Sequence, residues 1–319
     1  MTNFLPHWLV LLNLLSLPVY LISPVNAASS GFLSMQGAYE EYRPLMSNNA
    51  FNEPLHIKST FNDDVGTGEV YALIDNEFSI ISSNLVTVRQ WCDMLVLHVN
   101  VKGCFPGGGE DAGEEQAKES SKNTIRLYVG RNYYEPIEDA YAMTYKMSVM
   151  QQSDDYLKNT LSSESGPFGT SNYLLEFEAI PLNEQKTFIH FRYSYEYGLL
   201  ARIALEGYLA TLGRNKVGFT VEKYDENNNP VYVKGTQGIV ERNSMRYFLA
   251  IRAYLDTYLD NQNAWNHRIQ HWYELALPYK QQLLEVEDQN YLKTKREEFE
   301  KRISPSAAKS ISGGGLEQF

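Results

Sequence analysis

One segment of the sequence, residues 186–197 (KTFIHFRYSYEY), alternates between two classes of side chain along most of its length. The apolar and aromatic class consists of Ile189, Phe191, Tyr193, Tyr195 and Tyr197. The polar class consists of His190, Arg192, Ser194 and Glu196. Because successive side chains of a β-strand point to opposite faces, this pattern predicts a strand whose first class lies in a core and whose second class meets water.

Several other segments also have the composition or alternation of strands. They are residues 67–75, 124–131, 139–150 and 173–180, and a hairpin over 216–235 with its turn at 225–230. Predicted helices cover residues 198–212, 238–255, 264–277 and 279–302. Residues 151–171 are interpreted as a long connection, and the glycine-rich acidic segment 106–122 as an exposed loop.

The region 81–100 fits two interpretations. Leu95, Leu97, Val99 and Val101 alternate as in a strand, but apolar residues also recur at spacings of three and four from Ile81 onward. The helical pattern is the longer of the two, so it favours a helix that ends near Asn100.

The predicted helix 238–255 (GIVERNSMRYFLAIRAYL) has apolar residues on both sides, which is typical of a helix that is covered on both sides. The stripe predicted to face the sheet consists of Val240, Ser244, Tyr247, Ile251, Tyr254 and, just beyond this segment, Tyr258. On the other side, we expect Arg242 and Arg246 to meet carboxylates or carbonyls of the C-terminal helices.

Strands that follow one another through short connections form an antiparallel sheet. The predicted fold class is therefore α+β: a curved antiparallel sheet of about seven strands gripping a long C-terminal helix, with an added C-terminal helical pair. This order resembles the START-like (SRPBCC, helix-grip) superfamily, and the chain is similar to uncharacterised exported bacterial proteins with an RNSMRYFLAI helix. The segments that carry the resemblance are GEVYALID, NLVTVRQWC, FIHFRYSYEY and GIVERNSMRYFLAIRAYL. The resemblance implies a domain over 55–260 that binds a lipid or another hydrophobic ligand, followed by a helical extension over 261–303.

The N-terminus resembles a secretory signal peptide over residues 1–27. A short apolar run, WLVLLNLLSL, precedes Val25-Asn26-Ala27, a small-residue sequence of the kind that signal peptidase cuts. We expect a periplasmic or secreted protein with an extended lead-in over 28–54 and a disordered tail over 304–319. An uncleaved N-terminal membrane anchor is the alternative, because no Lys or Arg precedes the run. No other apolar run has the roughly 20 residues that a membrane span needs.

Cys92 and Cys104 are the two cysteines of the chain. In an oxidising compartment an even number of cysteines predicts a disulfide. The pair cannot meet if residues 93–103 form one extended strand, but it can meet if a helix ends near Asn100 and the chain turns back.

The face of the sheet that meets the long helix is predicted to be rich in tyrosine, and a buried tyrosine hydroxyl needs a hydrogen-bond partner. An amphipathic ligand is one source of such a partner, and a solid core with internal hydrogen bonds is the alternative. The predicted ligand-binding residues are Tyr141, Tyr145, Tyr173, Phe177, Phe191, Tyr193, Tyr195, Tyr247, Ile251 and Tyr254.

Evidence for catalysis or a cofactor is weak. His267, His271 and Glu274 share one helical face, but an ordinary polar face is the simpler interpretation, and we predict no metal site and no cofactor. No Gly-x-Ser-x-Gly or phosphate-binding loop is present, and a net charge of -11 disfavours nucleic acid as a partner. The predicted function is non-catalytic binding of a hydrophobic or amphipathic molecule such as a lipid. The alternatives are a cyclase, dehydratase or hydrolase on the same fold, or a protein-interaction module that uses the C-terminal helices.

Overall fold

A computed structural model describes residues 29–51, 53–62, 64–107, 122–211, 213–259, 264–284 and 288–303. The predicted signal peptide, most of the predicted loop over 106–122 and the predicted tail lie outside the described residues. Nothing in the described part tests the predicted domain boundaries.

Eight strands form one antiparallel sheet, in the order β1-β2-β8-β7-β6-β5-β4-β3. Their bounds are β1 Leu55–Asn62, β2 Val65–Ile74, β3 Val101–Pro106, β4 Thr124–Val129, β5 Tyr141–Gln152, β6 Leu157–Ser165, β7 Thr170–Pro181 and β8 Thr187–Tyr197. The predicted hairpin forms a separate pair, β9 Val221–Tyr224 and β10 Pro230–Tyr232. The sheet is curved and open, as the predicted fold class requires.

The helices are α1 Ser30–Ser47, α2 Phe78–Asn84, α3 Val88–Leu95, α4 Leu199–Ala210, α5 Gly235–Asp256, α6 Ala264–Ala276, α7 Lys280–Leu283 and α8 Asp288–Ile303. Among the described residues, no helix combines the length and the apolar character that crossing a membrane requires.

The long helix α5 packs on the inner face of the sheet, against β1, β2 and β8. Glycine at two positions of β2 makes this approach close. A Cβ atom at Gly68 would collide with Ser244 and stand 2.7 Å from Val240, and one at Gly66 would stand 2.9 Å from Val240. The short helices α2 and α3 also contact α5, and they reach the sheet at β7, β3 and β4.

The C-terminal helices cover the other side of α5, as the two-sided apolar pattern predicts. Trp272 of α6 is 1% exposed, and its Nε1 donates a hydrogen bond to the Arg246 carbonyl at 3.2 Å. Arg246 Nη2 in turn donates to the Leu283 carbonyl of α7 at 3.1 Å. The prediction that Arg246 meets a carbonyl of the C-terminal helices is therefore confirmed.

Helix α8 is held at the β3 edge of the sheet by a buried group of charges. Lys295 Nζ donates to the Val101 carbonyl at 2.6 Å and lies 3.0 Å from Glu298. Lys102 of β3 pairs with the same Glu298 carboxylate at 2.8 Å. Burial lowers the pKa of Lys295 to about 8, and the Glu298 charge opposes that shift.

Cys92 of α3 is bonded to Cys104 of β3, and their Cα atoms are 5.2 Å apart. The predicted disulfide is thus present. Its geometry depends on the turn at residues 96–100, which reverses the chain between α3 and β3.

Three local predictions are wrong. The region 81–100 holds two short helices instead of one, because Thr87 and Gln90 form a capping box that starts α3 separately. Residues 151–171 contain strand β6, whose buried face includes the polar residue Asn159 as well as leucines. The predicted extended lead-in contains helix α1, in which Phe32, Met35, Tyr39, Tyr42 and Met46 recur at helical spacing.

Candidate ligand-binding site

Five tyrosines from four elements meet on the inner face of the sheet, and they are called the inner tyrosines below. They are Tyr145 of β5, Tyr173 of β7, Tyr193 and Tyr195 of β8, and Tyr247 of α5. The rings of Tyr173 and Tyr195 stack with centroids 5.2 Å apart, and those of Tyr193 and Tyr247 are 5.4 Å apart. Their convergence follows from the alternation of the strands and from the position of α5.

Apolar side chains surround the inner tyrosines. Phe177 and Phe191 are 0% exposed, and Ile251, one helical turn after Tyr247, is 1% exposed. The rings of Phe191 and Tyr247 lie 6.1 Å apart. Eight of the ten predicted ligand-binding residues therefore belong to one buried aromatic region.

The hydroxyl groups of the inner tyrosines differ in their partners. Tyr195 accepts a hydrogen bond from Tyr197 at 2.9 Å, and the hydroxyls of Tyr173 and Thr170 are 2.7 Å apart. Tyr145, Tyr193 and Tyr247 are also buried, and their hydroxyls form no hydrogen bond with the described part of the chain. These three groups are the ones that a ligand with polar atoms would satisfy.

All of these hydroxyls stay protonated near neutral pH. Burial raises the pKa of Tyr173 to about 12, and burial together with the neighbouring tyrosines raises the pKa of Tyr145 and Tyr193 well above the ordinary value. The inner tyrosines can thus donate or accept hydrogen bonds, but they cannot serve as anions.

Two of the predicted ligand-binding residues lie elsewhere. Tyr141 stands at the start of β5 and is 42% exposed. Tyr254 faces the C-terminal layer, where the Arg268 guanidinium lies 4.7 Å from its ring centre. The prediction that Tyr254 faces the sheet is wrong, because α5 is buried on both sides and its apolar pattern does not define one stripe.

His98 is a buried neighbour of the inner tyrosines that the sequence patterns did not identify. It lies in the turn between α3 and β3, is 3% exposed, and stacks on Tyr247 with centroids 4.4 Å apart. A lone histidine in a turn has no spacing signal, so only the three-dimensional contact reveals it.

The opposite face of β8 meets water only in part, because Arg192, Ser194 and Glu196 are half-buried while His190 is buried. Helix α1 covers it through Met35, Tyr42 and Met46, which pack with Tyr71 and Phe188. His190, on this face, is 5% exposed. Phe188 was the signal in the sequence, since it is a large apolar residue at a position of the polar class.

A network of charged and hydroxyl groups, called the outer network, lies under and beside α1. Its members are Glu69, Tyr71, Tyr156, Lys158, Glu176, Glu178, His190 and Arg192. The two ring nitrogens of His190 lie 3.0 Å from Glu178 and 3.1 Å from Glu69. Arg192 adds a second cation at Glu69, 3.0 Å away.

The electrostatics of the outer network favour a protonated His190. Burial would lower the pKa of His190, but its contacts with Glu178 and Glu69 outweigh that effect and raise it. Burial would likewise raise the pKa of Glu69, but His190 and Arg192 lower it to about 2. His190, Tyr156 and Lys158 similarly lower the pKa of Glu178 to about 2.

One face of this network has the composition of a metal site. Possible ligand atoms of Glu176, Glu178 and His190 lie within 4.8 Å of one another. Lys158 and Arg192 already pair with these carboxylates, at 2.8 Å and 3.5 Å from Glu176. The internal cations therefore compete with any metal ion for the same oxygen atoms.

Two other places are candidate ligand or metal sites, and both have the contacts of an ordinary protein surface. His271 of the HRIQHWYE helix pairs with Asp256 at 2.9 Å. An open surface groove of about 790 Å³ is lined mainly by polar residues, including Glu77, Gln152 and Asn183. It lies where β5 and β7 end, away from the inner tyrosines.

Neither a protein-family model nor a curated protein matches the sequence. Solved structures similar to this chain include a START superfamily protein from Mycobacterium smegmatis, at 14% identity and a TM-score of 0.29, over 50% of this chain and 92% of that one. A conserved protein from Geobacillus kaustophilus matches at 12% identity and a TM-score of 0.32, over 60% and 95% of the two chains. Human StAR-related lipid transfer protein 5 matches at 10% identity and a TM-score of 0.28, over 56% of this chain and 88% of that one.

The fold is START-like. This conclusion rests on the architecture itself, in which a curved antiparallel sheet grips the long helix α5, and it confirms the resemblance predicted from the order of elements. Helix α1 and the helices after α5 are additions to the START-like core.

Proposed function

We propose that the protein binds a hydrophobic or amphipathic small molecule, such as a lipid, at the inner tyrosines and does not transform it. The observation that carries the proposal is a group of three buried tyrosines, Tyr145, Tyr193 and Tyr247, whose hydroxyls form no hydrogen bond with the described residues. Ligand pockets are mostly apolar with a few placed polar groups, and this region has that composition.

The C-terminal helices are less suited to the alternative role of a protein-interaction module. The large apolar residues of α6, Ile269 and Trp272, are at most 1% exposed because they pack inside the chain. Their surface therefore contributes to the core and is not presented to a partner.

The proposal is tested by native mass spectrometry of the purified protein, followed by organic extraction and analysis of the extract. We expect a bound lipid-sized adduct that extraction removes. The stripped protein should then bind a fluorescent fatty-acyl probe, and added lipid should displace the probe.

Two tyrosine variants locate the probe. Tyr193→Phe removes an inner hydroxyl and should weaken probe binding several-fold, about the effect of one hydrogen bond. Tyr42→Phe removes a hydroxyl that α1 presents to the outer face of the sheet, and it serves as the matched control. Equal effects of the two variants, or a protein that binds no probe, would overturn the proposal.

We also propose that the protein is exported. The signal-like segment 1–27 and the Cys92–Cys104 disulfide support export, since stable disulfides are typical of oxidising compartments. N-terminal sequencing of the protein from its native host should find Ala28 first. A chain that keeps residues 1–27 and sediments with membranes would instead support the N-terminal anchor.

A further inference from the structure

His98 is oriented by a backbone hydrogen bond that fixes which ring nitrogen carries the proton. The Asn100 N–H donates to His98 Nδ1 at 3.2 Å, so Nδ1 presents its lone pair. A neutral imidazole then carries its proton on Nε2. His98 Nε2 is thus an N–H donor aimed away from the backbone that holds the ring.

This donor is buried and has no hydrogen-bond partner among the described residues. Asn243 of α5 lies near the ring, but no hydrogen bond of normal geometry joins it to Nε2. A buried donor without an acceptor destabilises the folded chain, because it loses its hydrogen bond to water and gains none in return. An incoming acceptor would remove that destabilisation.

The surroundings of His98 keep the ring neutral and favour a negatively charged acceptor. Burial lowers the pKa of His98 well below its ordinary value, and the charges of Arg246, Lys295 and Lys102 lower it further. Lys102 and Lys295 both pair with the single carboxylate of Glu298. The two lysines and Glu298 together therefore carry a net positive charge. An anionic oxygen atom near Nε2 would be stabilised by that charge.

His98 also lies beside the proposed binding region, since its ring stacks on Tyr247 and the Tyr247 ring lies 5.4 Å from that of Tyr193. We propose that His98 Nε2–H donates to the carboxylate of a long-chain carboxylic acid whose apolar chain lies along the inner tyrosines. This inference rests on the proposed function and names its ligand class.

The test compares oleate with methyl oleate, which has the same chain without the charge. Wild-type protein should bind oleate at least about tenfold more tightly than the ester, the effect of one hydrogen bond to a charged group. His98→Asn keeps an acceptor for the Asn100 N–H but does not reach the position of Nε2, and it should abolish the preference. His98→Gln can place an N–H near that position and should keep part of it.

The outcomes separate the two proposals. If wild type and His98→Asn bind both probes with one affinity, the carboxylate inference is overturned while binding at the inner tyrosines stands. If the wild type binds neither probe, both proposals are overturned.

Ring-nitrogen NMR of the wild type tests the inference without any variant. We expect His98 to be neutral with its proton on Nε2 at pH 7, and we expect its Nε2 shift to move when oleate saturates the protein. A protonated ring, or an Nε2 shift that oleate leaves unchanged, would overturn the inference even if neither His98 variant folds.

Discussion

The two faces of β8 use alternate residues of one strand, and each face lies near a buried histidine in a different state. On the outer face, His190 lies between two carboxylates, and hydroxyl and cationic partners complete the network. On the inner side, His98 is neutral, and its Nε2 has no hydrogen-bond partner among the described residues. The hydroxyls of Tyr145, Tyr193 and Tyr247 likewise form no hydrogen bond with the described residues. The difference teaches that burial of polar groups alone does not identify a binding site. A network whose members satisfy one another stabilises the fold, whereas buried donors without acceptors remain available to a ligand.

The largest expected effect comes from removing one charge of the outer network. Glu69→Gln leaves His190 and Arg192 with fewer compensating charges in a buried place, and breaking such a group typically costs about 3–5 kcal/mol. We expect a loss of about 3–5 kcal/mol in the free energy of unfolding, measured by denaturant titration.

Tyr193→Phe on the inner face is the matched variant for this measurement, and we expect it to change stability by less than about 0.5 kcal/mol. Equal losses of unfolding free energy in Glu69→Gln and Tyr193→Phe would contradict the proposed difference between the two faces.

The next effect concerns the inner side, where the disulfide joins α3 to β3 on either side of the turn that holds His98. Cys92→Ala with Cys104→Ala should lower the free energy of unfolding by about 3 kcal/mol, since a cross-link over a short loop restricts the unfolded chain by that amount. Thermal melting with and without a reducing agent gives a second measurement on the unaltered protein. A melting temperature that does not respond to reduction contradicts this prediction.

A smaller effect distinguishes tyrosines of the two faces. The Tyr156 hydroxyl donates to the Glu178 carboxylate, so Tyr156→Phe should cost about 1–2 kcal/mol. Tyr145→Phe removes a hydroxyl from a buried tyrosine that forms no hydrogen bond with the described residues, so it should leave stability unchanged or raise it slightly. Parallel thermal melts check the pair, and a larger loss for Tyr145→Phe would mean that its hydroxyl is satisfied in the free protein.

The smallest effect is a dependence on pH with opposite signs for the two histidines. The folded-state pKa of His190 is raised, so its contribution to stability is full below about pH 6.5 and is lost as the pH rises through that pKa. The pKa of Glu69 and of Glu178 falls from 4.5 to about 2, so their contributions are present above pH 4.5 and are lost as the pH falls toward 2. The outer network should therefore stabilise most between about pH 4.5 and 6.5.

His98 has a lowered folded-state pKa, so its contribution is present above pH 6.5 and is lost as the pH falls through that pKa. Denaturant titrations from pH 5 to pH 8 should show that the stability difference between wild type and His190→Asn shrinks as the pH rises. The difference for His98→Asn should not shrink in that direction. Parallel pH profiles for the two variants would contradict the assigned charge states.

The fold was predictable because alternation and helical spacing are local signals of burial. The strand 186–197, the helix 238–255 and the pairing of Cys92 with Cys104 all follow from such signals. The apolar spacing of α1 was also readable, but the polar residues around it hid the pattern. Strand β6 was hidden because Asn159 lies on its buried face, where its Nδ2 donates to the Leu85 carbonyl, a contact that no local pattern encodes.

The candidate site was predictable in part. Alternation brought the inner tyrosines of the strands together correctly, since each strand has only two faces. It failed for Tyr254 because α5 is covered on two sides, and for His190 because the element that covers it is distant in the sequence. His98 could not be found, because its environment arises from a turn, a helix and a sheet edge that meet only in the folded chain.

Gly68 acts as a spacer that sets the distance between two layers of the protein. Its missing side chain lets Val240 and Ser244 of α5 rest directly on β2, and the helix is thereby fixed close to one half of the sheet. Together with Gly66, Gly68 therefore sets how near α5 lies to the inner face of the sheet. Replacing this glycine with progressively larger residues would tilt α5 outward in small steps, which makes Gly68 the natural position for widening or narrowing the interior without changing any residue that lines it.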